Sequence, residues 1–556
     1  MTVAGFIAAF LCRNGIRKVW GYQGGNIALL IDALALTPGI DFISSYNEQG
    51  AAFAANGESL YTGNPAVAIA SSGPGAINLV NGIANAYFDS LPILFITGDL
   101  SRHWSKENTN QRQKGFQDTN IVSMVAGITK YACKIQKPSE IVSQLRHSWE
   151  IMQQGRRGPV LLSIPHWVFK AEIDGSFDVD SVEETNRDLQ KIAKRIVQQV
   201  SDAARPAIVI GHGCSSDRAK QTVAALFADI SIPVVTTLPG LDCVDRTWRN
   251  MFGFVGTFGE PWANYVVKQA DFLLVLGARL DERVDIRPNA DQKIVHIDLD
   301  PDEFFQQTET ENYLPVKVSV KAFLQELQEL QFPSLKPCDF FRRLLRTRNK
   351  FKCPNFVSGS LKEKLERISL AANDDAVFVI DTGFHQLAAA HALAVTGQRR
   401  ILFSSGLGSM GFALPAALGV RAVEPRQQIV VVTGDGGLMM NLQELQVLKR
   451  EKWQILIVVA NNQALGLICA VQDAILNGRH HGSQDGYEPC GMQEIAQAFG
   501  LLYYGEDTPL EIILDNMRQQ GTSALLELRE SDIRCTIRAE FTADELEQIN
   551  KLMENK

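Results

Sequence analysis

The sequence predicts an α/β protein built from three doubly wound parallel-sheet domains. Apolar, β-branched runs of strand length alternate with helical segments along most of the 556 residues, which is the pattern of parallel sheets covered by helices. Polar or proline-containing stretches interrupt this alternation at 171–190 and 331–356 and are expected to be linkers. A chain of this length is expected to form about three domains. We therefore predict domains at 1–170, 185–335 and 357–556.

The composition is that of a globular protein and argues against several functional classes. Hydrophobic residues make up 46% of the chain and charged residues 21%. The net charge of −8 argues against nucleic acid as a main partner. No apolar run is long enough to span a bilayer, so we expect no membrane partner. Nine cysteines without a CxxC pair suggest reduced thiols in the cytoplasm. The apolar start at residues 3–12 is predicted to be the first helix rather than a signal peptide.

In the predicted first domain, two candidate site residues follow buried strands. Apolar runs predict these strands at 19–22, 40–46, 66–70 and 93–97. Glu48 comes directly after the second strand, and Ser72 follows the third in the sequence SSGPGA. Taken alone, a glutamate at such a position is more often a surface or capping residue, and SSGPGA is an ordinary strand-to-helix turn. In the predicted middle domain, the same reasoning gives strands at 207–211, 234–238, 272–277 and 294–298.

The predicted third domain contains the most specific pattern of the chain. A strand at 428–433 (QIVVVT) is followed by GDGG, a helical segment at 439–449, a strand at 454–460 (QILIVVA) and a pair of asparagines. This order is typical of a parallel βαβ unit. Asn441, with Glu444 three residues later, is predicted to cap the helix. A further strand at 377–380 precedes the sequence DTGFHQ, which contains His385 and Gln386.

The residues that follow these strands predict a site for a diphosphate and a magnesium ion. Because parallel strands end on one edge of their sheet, Asp435 and Asn462 are expected to lie side by side. A carboxylate and an amide oxygen are hard ligands that suit Mg²⁺. Gly434, Gly436 and Gly437 would let the backbone approach a diphosphate, and a helix start adds N–H donors. GDG alone occurs in ordinary turns, but the complete arrangement resembles the thiamine-diphosphate motif.

Further segments extend this resemblance from about residue 5 to about residue 535. The chain resembles the acetohydroxyacid synthase branch of the thiamine-diphosphate decarboxylase and carboligase family. The matching segments are GYQGG (21–25), NEQGAA (47–52), SSGPGAINLV (71–80), GFQD (115–118), TTLPGL (236–241), GARLDERV (277–284), HIDLDP (296–301), TGFHQ (382–386), GLGSMGFALPAALG (406–419) and GDGGLMMNLQEL (434–445).

The resemblance implies a role for each domain and for particular residues. The three domains would be a pyrimidine-binding, a central FAD-type and a diphosphate-binding domain. Glu48 would be the acid beside the pyrimidine nitrogen, and Gln117, with Phe116, would approach the active site. Met410 would hold the cofactor bent. Magnesium would be bound by Asp435, Asn462 and the carbonyl of Ala464, and the remaining cofactor contacts would come from Ser72, His385, Gln386, Gly408, Gly434, Gly436, Gly437 and Gly466.

The predicted middle domain carries a second part of the resemblance, to segments that contact FAD. The implied flavin positions are Thr237, Leu238, Gly256, Gly277, Arg279, Asp281, Arg283 and Asp298. The alternative is that these segments only stabilise a middle domain that has lost its flavin. We expect FAD as a third cofactor, beside thiamine diphosphate and Mg²⁺.

Several positions depart from the family pattern on the side of the acceptor substrate. Gln23 and Asn26 place amides where the family has GYPGGA. Leu467 stands where the synthases carry methionine, and Val471 stands where they carry a tryptophan that narrows the pocket. The C-terminal sequence also lacks the family's terminal segment. We therefore expect an unchanged donor side and a widened acceptor side.

These observations predict a carboligase that joins a two-carbon unit from pyruvate, or a similar 2-oxo acid, to a carbonyl acceptor. The acceptor could be a keto-sugar nucleotide, or a second pyruvate as in acetolactate synthesis. A flavin-linked 2-oxo acid oxidase and a non-catalytic relative are the alternatives. The resemblance implies a homodimer or homotetramer with an active site shared between subunits.

Overall fold

The computed structural model describes residues 1–100, 112–113, 115–174, 188–215, 217–330, 338–351, 356–357, 359–396, 398–530 and 537–554. The chain forms two compact units. One contains Met1–Val182, Ala376–Gln386 and Leu402–Ser531, and the other contains Glu183–Asp375, Leu387–Ile401 and Asp532–Lys556. The described residues carry three six-stranded sheets with helices interleaved between the strands. The predicted α/β class with three parallel sheets is confirmed, whereas the predicted domain boundaries stay a prediction.

The first sheet has the strand order β2-β1-β3-β4-β6-β5, and its neighbouring strands run parallel. Its strands are β1 (Lys18–Gly21), β2 (Asp41–Ser44), β3 (Ala66–Ala70), β4 (Ile93–Asp99), β5 (Tyr131–Lys134) and β6 (Val160–Pro165). Its helices are α1 (Val3–Arg13), α2 (Ala28–Ala35), α3 (Glu48–Thr62), α4 (Pro74–Asn78), α5 (Val80–Phe88), α6 (Ile121–Val125), α7 (Ile141–Ile151) and α8 (His166–Lys170). The four predicted strands are thus present, and residues 3–12 are helical as expected.

The second sheet has the order β12-β11-β10-β7-β8-β9 and is also parallel. Its strands are β7 (Pro206–Ile210), β8 (Val234–Thr236), β9 (Met251–Phe254), β10 (Phe272–Leu276), β11 (Lys293–Asp298) and β12 (Tyr313–Lys317). The helices that follow the same stretch of chain are α9 (Leu189–Asp202), α10 (Asp217–Phe227), α11 (Pro261–Gln269), α12 (Val320–Glu329), α13 (Asp339–Lys350) and α14 (Leu361–Ala371).

The third sheet has the order β14-β13-β15-β16-β18-β17, with parallel pairing from β13 to β17. Its strands are β13 (Val377–Ile380), β14 (Arg400–Phe403), β15 (Ile429–Gly434), β16 (Leu456–Asn461), β17 (Leu502–Gly505) and β18 (Ala524–Arg529). The remaining helices are α15 (Phe384–Ala392), α16 (Ala413–Val423), α17 (Asp435–Met440), α18 (Leu445–Glu451), α19 (Gly466–Leu476), α20 (Met492–Phe499), α21 (Leu510–Gln520) and α22 (Ala543–Glu554).

Helices α3 and α16 join the first and third sheets into one hydrophobic core. Phe53 of α3 and Phe412 stack edge to face with ring centroids 5.5 Å apart. The backbones of the two helices also touch, because a Cβ built on Gly419 would lie 1.9 Å from the carbonyl oxygen of Ala54. Only a residue without a side chain allows this approach. The core of this unit is therefore shared by two segments that are distant in the sequence.

Two details of the sequence prediction were wrong. The helix after GDGG begins at Asp435, directly after the strand, and Asn441 stands between its last residue and a short 3-10 helix (Leu442–Glu444), at whose start its side chain makes no capping hydrogen bond. The Asn441 side-chain N–H donates to the carbonyl of Gly411 at 2.8 Å, and its Oδ1 atom accepts from the Gln443 side chain at 3.3 Å rather than from a helix N–H. Part of the second expected linker forms helix α13, whose buried phenylalanines Phe340 and Phe341 pack in an apolar cluster. Proline content had obscured the helical spacing of these apolar residues.

No helix within the described ranges is long and apolar enough to cross a membrane.

Candidate functional site

The residues predicted to bind the diphosphate and magnesium lie at the carboxyl ends of three neighbouring strands of the third sheet. Strands β13, β15 and β16 are adjacent and parallel. Asp381 follows β13, Asp435 follows β15, and Asn462 follows β16. Gly434 pairs with Ala460 in the register of β15 and β16, so the two strands end at the same level. The strand lengths in the sequence therefore bring Asp435 to the turn that contains Asn462.

Asp435 is buried at the start of α17 with one carboxylate oxygen unused. The backbone N–H groups of Gly436 and Gln463 donate to its carboxylate, but burial dominates and raises its pKa to about 6. Its Oδ2 atom is buried and has no hydrogen-bond partner among the described residues. A buried carboxylate oxygen without a partner is costly. A bound cation would remove this cost.

The turn after β16 presents the other predicted magnesium ligands. The Asn462 Oδ1 atom accepts from the N–H of Ala464 at 3.2 Å, and Gln463 between them adopts a left-handed φ of +52°. One carboxylate, one amide oxygen and one backbone carbonyl form a hard but incomplete set for Mg²⁺, which normally takes its other ligands from water and substrate phosphates. The described residues contain no group of three or more His, Cys, Asp or Glu side chains suited to a metal ion. The donor set at this turn thus fits magnesium held together with a diphosphate.

His385 lies beside this edge as a neutral imidazole. Burial lowers its pKa to about 4, and its Nε2 atom is buried without a partner in the described parts of the chain. The ring also lies 3.2 Å from the position that a Cβ on Gly434 would take. Gln386 is the next residue of α15 and is half-buried. The ring hydrogen-bonds to the backbone carbonyl of Asp381 through its other nitrogen, so Nε2 can donate to a phosphate oxygen once the imidazole takes up a proton, which an adjacent diphosphate charge would favour.

Asp381 organises the glycine-rich loop in front of α16. Its carboxylate accepts from the N–H of Gly411 at 2.9 Å and from the Thr433 hydroxyl at 3.2 Å. Burial raises its pKa to about 6. The sequence analysis had not selected this aspartate, although it follows a buried strand just as Asp435 does. Its hydrogen bonds fix the loop that carries Met410.

The glycine-rich loop that carries Met410 packs closely against the GDGG segment. Gly408 adopts a left-handed φ of +69°. A Cβ on Gly436 would lie 3.6 Å from the Met410 methyl carbon, so the predicted wedge residue stands over the diphosphate glycines. A Cβ on Gly437 would lie 2.9 Å from Asp381 Oδ2. Gly466 begins α19 on the other side of the Asn462 turn.

Glu48 begins helix α3 at the carboxyl edge of the first sheet and is only 8% exposed. Its Oε2 atom accepts from the Asn78 side chain at 2.9 Å. A Cβ built on Gly75 would lie only 2.7 Å from the Glu48 Oε1 atom, so the carboxyl group occupies the space that a side chain at position 75 would need. Asn78 was missed by the sequence analysis, although it lies within the quoted SSGPGAINLV segment. These contacts orient the carboxyl group toward the edge on which Ser72 lies.

Ser72 and Gln117 complete the first-sheet group. The Ser72 hydroxyl is buried and accepts from the Asn26 side chain at 2.6 Å. Gln117 adopts a left-handed φ of +62° and lies against Gly73, where a Cβ would be 2.8 Å from the Gln117 Cβ. Phe116 is 86% exposed. The structure thus brings Glu48, Ser72 and Gln117 to one edge of the first sheet.

The predicted flavin residues lie together at the carboxyl edge of the second sheet. They follow strands β8, β9 and β10 or end β11: Thr237, Leu238, Gly256, Gly277, Arg279, Asp281, Arg283 and Asp298. The two arginines are engaged within the chain. Arg279 pairs with Glu303 at 3.4 Å, and Arg283 pairs with Asp281 at 2.8 Å. Nucleotides commonly bind at the carboxyl edge of such a sheet. The positive charges of the two arginines, which a diphosphate would need, are however already paired with Glu303 and Asp281.

Comparison with protein families gives matches to three models that together follow the three sheets. The N-terminal TPP-binding domain of thiamine pyrophosphate enzymes matches residues 1–124. The central domain of these enzymes matches residues 193–327. Their C-terminal TPP-binding domain matches residues 381–528.

Individual relatives are similar over nearly the whole chain. The acetolactate synthase large subunit of Lactococcus lactis subsp. lactis (strain IL1403) is 30% identical over 89% of this chain and 86% of its own length. The acetolactate synthase isozyme 2 large subunit of Escherichia coli (strain K12) is 30% identical over 95% of both chains. The acetolactate synthase of Arthrospira platensis is 31% identical over 88% of this chain and 87% of its own. The chain therefore belongs to the thiamine pyrophosphate enzyme family, within which it is related to the acetolactate synthase large subunits.

Proposed function

We propose that this chain is an acetolactate synthase-like carboligase, which transfers a two-carbon unit from pyruvate or a similar 2-oxo acid to a carbonyl acceptor. The observation that carries the proposal is the pair of unpartnered buried atoms, Asp435 Oδ2 and His385 Nε2, at the glycine-walled edge of the third sheet. Thiamine diphosphate, when bound, supplies the carbanion chemistry that releases carbon dioxide and forms the new carbon–carbon bond.

In this proposal, the third-sheet residues bind the charged end of the cofactor. Asp435, Asn462 and the Ala464 carbonyl hold Mg²⁺, and His385 donates to the diphosphate. The start of α17 adds backbone N–H groups and a favourable helix dipole. The glycines at 434, 436 and 437 keep side chains out of this space. Met410 stands over them and fixes the orientation of the cofactor.

The first-sheet residues act on the pyrimidine end. Glu48 holds a proton at the pyrimidine ring nitrogen, and Asn78 orients its carboxyl group through the 2.9 Å hydrogen bond. Gln117 approaches the substrate from the same edge. Positioned proton transfer of this kind typically contributes about 10²–10⁴-fold to a rate.

The test of the reaction is an assay of the purified chain with thiamine diphosphate, Mg²⁺ and pyruvate. We expect carbon dioxide release, acetolactate or an acceptor adduct as product, and a strong loss of both in Glu48→Gln. Oxygen uptake that depends on turnover would instead indicate a flavin-linked oxidase. Absence of carbon dioxide release from every 2-oxo acid tested would indicate a non-catalytic relative.

For the acceptor, we propose a substrate larger than pyruvate, such as a keto-sugar nucleotide. The face of α19 that follows the magnesium turn is apolar and open, with Val471 52% exposed and Ile475 71% exposed. The exposed Gln23 and the Asn26 amide at the first-sheet edge add hydrogen-bonding groups suited to hydroxyls.

Val471→Trp should reduce reaction with a bulky acceptor more than pyruvate decarboxylation, since a clash acts only on the larger partner. Val471→Ala, which adds no bulk, is the control, and equal losses with large and small acceptors in Val471→Trp would contradict the proposal.

We also propose that the middle sheet binds FAD at its carboxyl edge. The clustering of Thr237, Gly277 and Asp298 supports this, whereas the ion pair between Arg279 and Glu303 would have to open. The purified protein should then be yellow and release FAD on denaturation, and Arg279→Ala should retain less flavin. Colourless protein that does not bind added FAD would show that this sheet has only a structural role.

Finally, we propose a cytoplasmic homodimer, or a tetramer built from such dimers. Aromatic and aliphatic side chains such as Tyr87, Phe88 and Ile468 are exposed in the single chain. They support the proposal that a second subunit covers part of this surface. The cysteines that the structure describes are free thiols, which supports a reducing compartment.

A further inference from the structure

Tyr487 places a buried hydroxyl at the diphosphate edge of the third sheet, at a position that the sequence patterns do not indicate. The residue lies in the segment between α19 and α20. Its ring is partly exposed, but its hydroxyl oxygen is buried and makes no well-formed hydrogen bond within the described chain; the polar group nearest in its surroundings is the Asp435 carboxylate. A tyrosine hydroxyl that is buried usually has a partner. Its position therefore needs an explanation.

The surroundings of the hydroxyl are those of the predicted cofactor site. A Cβ built on Gly436 would lie 2.8 Å from the hydroxyl oxygen and 2.8 Å from a methyl carbon of Leu465. The hydroxyl also lies beside the Asp435 carboxylate, close enough for a weak hydrogen bond between the two groups. Tyr487 thus stands over the second glycine of GDGG and beside the predicted magnesium ligand.

The segment that carries Tyr487 is fixed to the rest of the site. The backbone N–H of Leu465 donates to the carbonyl of Ser483 at 2.8 Å. The side chain of Gln472 donates to the carbonyl of His481 at 3.0 Å. The backbone N–H of Tyr487 itself closes a turn onto Gln484 at 3.1 Å. These bonds tie the segment to the start and to the middle of α19, so the hydroxyl is held in place rather than carried by a free loop.

We propose that Tyr487 contacts the cofactor and that its hydroxyl donates a hydrogen bond to the diphosphate of thiamine diphosphate. This inference rests on the proposed function. Asp435 Oδ2 is the obvious alternative acceptor. In the proposed site, however, that oxygen binds the metal ion, which leaves the hydroxyl proton for a phosphate oxygen.

The test compares Tyr487→Phe with the wild-type chain in equilibrium binding of thiamine diphosphate and of inorganic pyrophosphate, both with Mg²⁺ and followed by calorimetry. Loss of one hydrogen bond to a charged group should weaken both ligands about 10- to 100-fold. The magnesium concentration needed for half-saturation at saturating thiamine diphosphate should not change. Tyr504→Phe, which removes a hydroxyl that accepts from Asn516 away from this edge, should bind both ligands as the wild type does.

Three outcomes would overturn the proposal. Equal affinities of wild type and Tyr487→Phe would show that the hydroxyl makes no contact with the diphosphate. A raised magnesium requirement with unchanged pyrophosphate affinity would show that the hydroxyl instead orients Asp435. Nitration of the Tyr487 ring in the wild-type chain, mapped by mass spectrometry, should be suppressed by magnesium pyrophosphate, and unchanged nitration would also count against the contact. Failure of the wild type to bind thiamine diphosphate at all would refute the proposed function, which makes the two failures distinguishable.

Discussion

Glu444 accepts a hydrogen bond from the backbone N–H of Asn47, the residue directly before Glu48, at 3.1 Å. The same Oε1 atom accepts from the N–H of Tyr46 at 3.0 Å. Glu444 is completely buried and lies a few residues after GDGG. A segment of the diphosphate motif thus supports the start of the helix that carries the proposed acid.

The first prediction concerns this support. Glu444→Ala should leave two partly buried N–H groups without their acceptor and lower the free energy of unfolding by about 1–3 kcal/mol. Glu444→Gln keeps an acceptor oxygen and should cost less. Denaturant unfolding of the two variants measures the difference. Equal stability of wild type and Glu444→Ala would show that water replaces the carboxylate at this helix start.

The second prediction concerns the pH dependence of stability. Glu58 of α3 accepts from the Trp20 indole N–H at 2.8 Å, and burial raises its pKa to about 7. The folded state therefore binds the Glu58 proton more tightly than the unfolded state does. This contribution to stability is present below the unfolded pKa near 4.5 and is lost as the pH rises through about 7, a fall of up to about 3 kcal/mol.

Glu58→Gln isolates this effect, because Glu444 and Asp381 also have raised pKa values and change stability in the same direction. Unfolding measured between pH 5 and pH 8 should show a smaller decline in the variant than in the wild type. Parallel curves for the two proteins would mean that Glu58 is ionised in the folded state throughout this range.

The third prediction concerns the contact between α3 and α16. Gly419→Ala would bring a methyl group onto the Ala54 carbonyl and force the helices apart, at a cost of about 1–3 kcal/mol. Gly505→Ala is the matched control, since a Cβ there meets no atom within 4 Å. Chemical denaturation should rank Gly419→Ala well below the control. Similar midpoints would show that the two helices can separate without loss of packing.

The fourth prediction concerns the metal. Asp435→Ala should lose thiamine diphosphate on dialysis, because the diphosphate charge is no longer compensated through magnesium. Asn462→Ala removes a neutral ligand and should have a milder effect. Retention of the cofactor by both variants, measured after extensive dialysis, would refute the metal assignment.

The fifth prediction concerns the shared active site. If Glu48 of one subunit serves the cofactor bound by Asp435 of another, then mixing inactive Glu48→Gln with inactive Asp435→Ala should restore part of the activity. One site of each mixed dimer would receive both intact residues. Activity that stays absent after subunit exchange, verified by mass spectrometry of the mixture, would place both residues in a site within one chain.

Much of the architecture could be predicted from the sequence because it depends on local patterns. The apolar runs of β3, β13 and β15 were found nearly to the residue, and their glycine and aspartate neighbours indicated the sheet edge. The helix start after GDGG was misplaced, since the Asn441 side chain is oriented by a hydrogen bond to the Gly411 carbonyl, thirty positions away in the sequence, and does not cap a helix. Local rules carry no information on such a contact.

The residues that sequence analysis missed are those whose importance depends on tertiary structure. Asn78 is notable because its side chain reaches Glu48, and Asp381 because it receives the Gly411 N–H. Tyr487 belongs to no recognisable motif. Only the folded segment around Ser483 brings its hydroxyl over Gly436.

The shared core of the first and third sheets has a consequence for biosynthesis. Tyr46 and Glu444 are separated by 398 positions, and translation adds about 5–20 residues per second. About 20–80 seconds therefore pass between the synthesis of the start of helix α3 and the synthesis of Glu444, which supports it in the folded chain. During that interval its alanine-rich surface is open to chaperones or to other nascent chains, and the second sheet can fold while the first is still incomplete.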